Sequence, residues 1–166
     1  NDERGYFMET LIHDRLESFL GFQVNFCQEN QTSSSRGVLR GLHYQMAPFA
    51  QNKLVRVVRG AVLDVIVDIR KKSPTFGNYL SIEISAKNKK QLFIPAGFAH
   101  GFVALMDETV FIYKVDNYYN PASERGIIYD DNDLAIDWKL KSTELKLSEK
   151  DSKLPIFKNA DYYDGL

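Results

Sequence analysis

At 166 residues the chain has room for one ordinary domain with a full hydrophobic core, and residues 1–166 read as a single unit. Its 44% hydrophobic and 26% charged content is that of a globular protein, and a net charge of −1 excludes a broad pull toward nucleic acid or anionic membrane. No apolar run approaches the roughly 18–20 residues of a membrane helix and no signal peptide is visible, so the chain reads as cytoplasmic.

Helical pattern is sparse. His13–Leu20 predicts two turns with Leu16, Phe19 and Leu20 on one side. Strands are predicted at Gly21–Glu29, Gly37–Tyr44 and Leu54–Val58, where Gly60 then marks a hairpin turn or bulge. Cys27, the only cysteine, is expected as a buried residue of the first of these, which leaves no intramolecular disulfide and no thiolate metal cluster. Beyond Gly60, Leu63, Val65, Val67 and Ile69 share one face while Asp64, Asp68 and Arg70 share the other, at the two-residue period of a strand. Further strands are predicted at Tyr79–Ser85, Gln91–Ile94, Gly101–Leu105, Val110–Asp116 and Gly126–Tyr129, with turn signals such as Ser73-Pro74 and Asn120-Pro121 between them. Another short helix is expected after Ser142. Many short strands with little helix predict a mainly β fold, an antiparallel sandwich or barrel for which the jelly roll is a common closure.

Three histidines are present. His13 lies in a polar stretch and reads as surface. His43, in Arg40-Gly41-Leu42-His43, and His100, in Pro95-Ala96-Gly97-Phe98-Ala99-His100, follow glycine-containing turns and are flanked by apolar residues. Such surroundings suit a partly desolvated pocket, and equally a satisfied core histidine. The Pro-x-Gly-x-x-His segment resembles the second motif of the cupin superfamily, which implies a cupin-type antiparallel jelly-roll barrel. Metal-holding cupins supply a His-x-His pair and a glutamate from the first motif. Here that region offers His43, Tyr44 and Gln45, so a metal site is short of ligands and none is expected.

A more specific resemblance runs through Gln28-Glu29-Asn30, Val38-Leu39-Arg40-Gly41-Leu42-His43-Tyr44-Gln45, Gln51-Asn52-Lys53, Ser73-Pro74-Thr75-Phe76-Gly77, Ile94–Phe102, Tyr113-Lys114, Tyr118-Tyr119 and Leu147-Ser148-Glu149-Lys150-Asp151. In order and without large gaps, from Asp2-Glu3-Arg4-Gly5 nearly to the C-terminus, these resemble the dTDP-4-dehydrorhamnose 3,5-epimerases. The resemblance implies a cofactor-free isomerase that inverts C3 and C5 of dTDP-4-dehydro-6-deoxyglucose. By position it makes His43 the general base, Asp151 its carboxylate partner and Tyr113 the general acid. It assigns substrate contacts to Arg4, Glu9, Gln28, Asn30, Arg40, Lys53, His100, Tyr119, Glu124 and Lys150. It also implies a homodimer that exchanges N-terminal segments, with Arg4 and Glu9 reaching the neighbour's pocket, and about a strand's worth of chain ahead of the Asp2-Glu3-Arg4-Gly5 motif.

The residue types suit that chemistry. Removing a proton beside a ketone needs a base that titrates near neutrality, and a carboxylate on its other nitrogen fixes the tautomer. Lys53 is the best donor for the enolate oxygen. Tyr113 shares a strand side with Phe111 and Val115, as an interior acid or as a plain core tyrosine. Arg4, Arg40 and Lys150 suit a diphosphate, and Tyr119 a nucleobase. Two other readings stay open: a single-carbon epimerase on another 4-keto nucleotide sugar, and a non-catalytic sugar-nucleotide-binding cupin.

Overall fold

The computed structural model describes residues 2–164. In chain order it contains helix α1 (His13–Leu20) and strands β1 (Gln28–Ser34), β2 (Leu39–Gln45), β3 (Lys53–Arg59), β4 (Ala61–Asp68), β5 (Tyr79–Ser85), β6 (Gln91–Ile94), β7 (Phe98–Ala104), β8 (Thr109–Val115) and β9 (Glu124–Gly126). Three single 3₁₀ turns follow at Ser142–Glu144, Asp151–Lys153 and Phe157–Asn159, where a short helix was expected. The strands form two antiparallel sheets, one ordered β1-β8-β3-β6 and the other β5-β4-β7-β2-β9. The expected jelly-roll sandwich is what these residues build.

Apolar side chains sort into two clusters. Val55, Val57, Val62, Ile66, Ile84, Ile94, Phe102 and Phe111 pack between the sheets. Leu63, Val65, Val67 and Ile69, with Leu39 and Val103, pack on the outer face of the five-stranded sheet beneath Ile127, Leu134 and Trp138 from the C-terminal third. Strand β4 is therefore buried along its whole length. Its polar side, including Asp64, faces the barrel interior instead of water, because chain from beyond β9 covers the other side.

That covering chain matters for the site. It is tied down by a parallel bridge between Val38 and Lys146 and by hydrogen bonds Leu39 N–H to Lys146 O (3.0 Å) and Lys146 N–H to Gly37 O (2.8 Å). Trp138 anchors it again, donating Nε1–H to Tyr129 O at 2.8 Å. So guided, the tail brings Asp151 against β2, more than a hundred positions away in sequence.

Three expectations need correction. The first strand is Gln28–Ser34, not Gly21–Glu29, because pairing with β8 begins at Gln28↔Val115 and runs to Ser34↔Thr109. Cys27 precedes that strand and is exposed, not buried. The last strand is Glu124–Gly126, earlier than Gly126–Tyr129, because its partners are His43, Tyr44 and Gln45 of β2.

Candidate active site

The interior of the sandwich opens as a cavity of about 450 Å³. Its walls are set by strand alternation. Gln28, Asn30 and Thr32 point into it from β1, Lys53 from β3, His100 and Phe102 from β7, and Phe111 and Tyr113 from β8. Strand β2 departs from simple alternation. Pairing with β7 runs Arg40↔Phe102 and then His43↔His100, a register shift that lets Arg40 and His43, three residues apart, face one cavity.

Glycine permits the shift. Gly41 has φ of +125°, and a Cβ there would lie 2.5 Å from Gly101 Cα; a Cβ on Gly101 would lie 2.8 Å from Arg40 O. The two strands touch backbone to backbone, directly under the site.

His43 Nε2 lies 2.7 Å from Asp151 Oδ1. The Gly41 N–H reaches the second carboxylate oxygen at 3.5 Å, and the Asp151 N–H donates to Ser148 Oγ at 3.1 Å. Burial alone would raise the Asp151 carboxyl, but its bond to His43, with the Gly41 and Ser148 contacts, holds it below the ordinary carboxylate value. Asp151 stays ionised and fixes a proton on Nε2, leaving Nδ1 free as a base.

Tyr113 enters from the opposite sheet. Burial is the main cause that lifts its phenol above the ordinary value, so it holds its proton at neutral pH. Lys53 is buried between the two walls, and loss of hydration brings it down to about 8, with Asp64 and Glu124 partly restoring it. His100 Nε2 lies 3.1 and 3.0 Å from the two oxygens of Asp64, whose side chain is fully buried. At the mouth, Glu124 accepts from Tyr119 O–H at 2.7 Å and from Lys150 Nζ at 2.5 Å. An imidazole and a phenol thus line one chamber from opposite sheets, with the buried Lys53 beside them and the exposed Arg40 and Lys150 at the rim.

Against known proteins, the model of the family described as dTDP-4-dehydrorhamnose 3,5-epimerase matches residues 1–159. The chain belongs to that family. Among its relatives, the dTDP-4-dehydrorhamnose 3,5-epimerase of Shigella flexneri is 51% identical over 162 residues, covering 98% of this chain and 88% of its own. The crystal structure of the Elizabethkingia anophelis epimerase superposes with a TM-score of 0.94 at 49% identity, covering 98% of this chain and 88% of that one. The Legionella pneumophila epimerase, solved in complex with dTDP-4-keto-L-rhamnose, gives 0.95 at 45% identity over 100% and 89%.

Of the residues assigned from sequence, His43, Tyr113, Asp151, Lys53, Gln28, Asn30, Arg40, His100, Tyr119, Glu124 and Lys150 all line the one cavity. Arg4 and Glu9 do not. Arg4 pairs with Asp2 at 2.5 Å and Glu9 with Arg15 at 3.6 Å, both in exposed positions on the N-terminal segment. Asp64 and Gln45 were missed. Asp64 carried a signal, an acid in the middle of an apolar run, but its partner lies on another strand. Among the described residues, no group of three or more His, Cys, Asp or Glu side chains is placed to hold a metal ion, and no helix is long and apolar enough to cross a membrane.

Proposed function

We propose that this cavity inverts C3 and C5 of dTDP-4-dehydro-6-deoxyglucose to give dTDP-4-dehydro-L-rhamnose, by acid–base chemistry on the protein's own side chains. One observation carries the reading: the imidazole backed by a buried carboxylate and the phenol stand on opposite sheets of a single chamber. His43 Nδ1 takes the proton from a carbon beside the ketone. The C–H electrons pass into an enolate, whose oxygen Lys53 meets as an ammonium in a desolvated setting. Tyr113 returns a proton to the other face, and the resulting phenolate and imidazolium reset through water before the second carbon reacts. One group on one face would only restore the starting configuration.

Arg40 and Lys150 at the mouth suit the diphosphate, and Tyr119 suits the thymine ring. The homodimer belongs to the same proposal. Helix α1 buries none of its residues in this chain, and Phe7 and Phe19 are 89% and 86% exposed, so the N-terminal segment offers an apolar face to a second copy. Arg4 and Glu9 would then serve the neighbour's chamber. A cytoplasmic setting follows from the substrate, since a nucleotide diphosphate does not cross a bilayer unaided.

The test is incubation with dTDP-4-dehydro-6-deoxyglucose in heavy water. Deuterium is expected at both C3 and C5, and His43→Asn is expected to abolish entry at each. Label at one carbon alone would reassign the protein as a single-site epimerase.

A further inference from the structure

Gln45 is the last residue of β2, two positions beyond His43, and is buried to 6% exposure at the cavity wall. Its amide is fully engaged, and by backbone only. Nε2 donates to Phe49 O at 2.6 Å and to Tyr118 O at 3.2 Å, while Oε1 accepts from Asn120 N–H at 2.7 Å. One side chain thus grips two loops, the one after β2 and the one carrying Tyr118, Tyr119 and Asn120. Those loops are stitched to each other by Gln51 Nε2 to Asn117 O (2.7 Å) and Asn117 Nδ2 to Pro48 O (3.0 Å). Tyr119 itself, more than half exposed, is held outside the Gln45 grip by its N–H to Gln28 Oε1 at 3.4 Å and its O–H to Glu124 at 2.7 Å.

We propose that Gln45 is a positioning residue for nucleotide binding: it holds the Asn117–Ser123 loop at the height where Tyr119 meets the nucleotide end of the substrate. This rests on the dTDP-sugar reading above. The chemistry of the side chain fits the task. A primary amide supplies two donors and an acceptor in one neutral plane, which neither an acid nor a hydrocarbon of similar size can do. The catalytic pair does not depend on these bonds, since His43 is fixed by Asp151 and Tyr113 by β8. Gln45 therefore acts on affinity, through the loop, with turnover left to others.

The experiment compares wild type, Gln45→Met, Tyr119→Ala and the double variant, by calorimetric titration with dTDP and by steady-state epimerisation. Gln45→Met is expected to raise Kd for dTDP and KM for the dTDP-sugar by about 10–100-fold, as for loss of several ordinary hydrogen bonds, while kcat stays within about threefold. Because Gln45 works through Tyr119, adding Gln45→Met to Tyr119→Ala is expected to cost no more than about threefold further. A merely structural glutamine would give losses that multiply. Should Gln45→Met not fold, Gln45→Glu keeps the shape and the acceptor toward Asn120 N–H while removing both donors, and carries the same expectation. Unchanged dTDP binding in the folded variant, fully multiplicative losses, or a fall in kcat with KM unmoved would each overturn the assignment. Wild-type protein that binds no dTDP overturns the proposed reaction, and the assignment with it.

Discussion

Two ionisable side chains of the chamber take their charge states from what surrounds them. Asp151 is a buried acid kept ionised by its neighbours, and in the proposed reaction it holds His43 in one tautomer. Asp151→Asn keeps the shape and removes the charge, so kcat is expected to fall by about 10²–10⁴-fold with binding of dTDP nearly intact, measured by turnover and titration. Lys53 is a buried cation brought down to about 8 by lost hydration. In the proposed reaction its working form is the protonated one, present below that value and lost above it. Activity is therefore expected to decline as pH rises through about 8, and Lys53→Met to lose about 10²–10³-fold in kcat and to remove that alkaline limb from the pH–rate profile. The family resemblance singled out His43 and Tyr113, and strand alternation left Tyr113 open as an interior acid or a core tyrosine; both side chains line the cavity. Asp64 was not legible as His100's partner, because a contact between neighbouring strands has no signature along either one.

At the scale of elements, the strands read best where apolar and polar residues alternate against a dry core. The predicted Tyr79–Ser85 and Gln91–Ile94 coincide with the observed β5 and β6, and His13–Leu20 with α1. β1 was misplaced because its inward side chains, Gln28, Asn30 and Thr32, are polar ones that line the chamber and leave no apolar rhythm. β2 shows what the glycines of its motif are for. Gly41→Ala would set a methyl 2.5 Å from Gly101 Cα in a backbone conformation that side chains resist. It is expected to destabilise the fold by about 2 kcal/mol or more and to disable the enzyme by moving His43, measured by denaturant unfolding and turnover. The same change at Gly5, where nothing lies within 4 Å of an added Cβ, keeps only the conformational cost of its own φ of +124°.

At the scale of the whole molecule, the C-terminal third both completes the core and delivers a site residue. Trp138 is 5% exposed over the outer face of the five-stranded sheet. Trp138→Ala is expected to cost about 3–5 kcal/mol, read as a lower midpoint of chemical unfolding. Asp151 belongs to the same C-terminal covering chain, so Trp138→Ala is also expected to lower kcat, measured by turnover. Composition and strand spacing predicted the two-layer β architecture, but nothing in them announced that the tail would wrap one sheet and meet His43.

Two sheets packed face to face have one compliant dimension, the gap between them. Here Phe102 and Phe111, one from each sheet, stack with ring centroids 4.3 Å apart and act as the spacer. In the proposed reaction the proton acceptor, His43, rides on one layer and the proton donor, Tyr113, on the other, so that aromatic pair gauges the distance over which both half-reactions occur. A thinner spacer such as Phe111→Leu would bring the layers together like a closing calliper and slow deuterium entry at C3 and C5 alike, although neither ring touches a proton in flight.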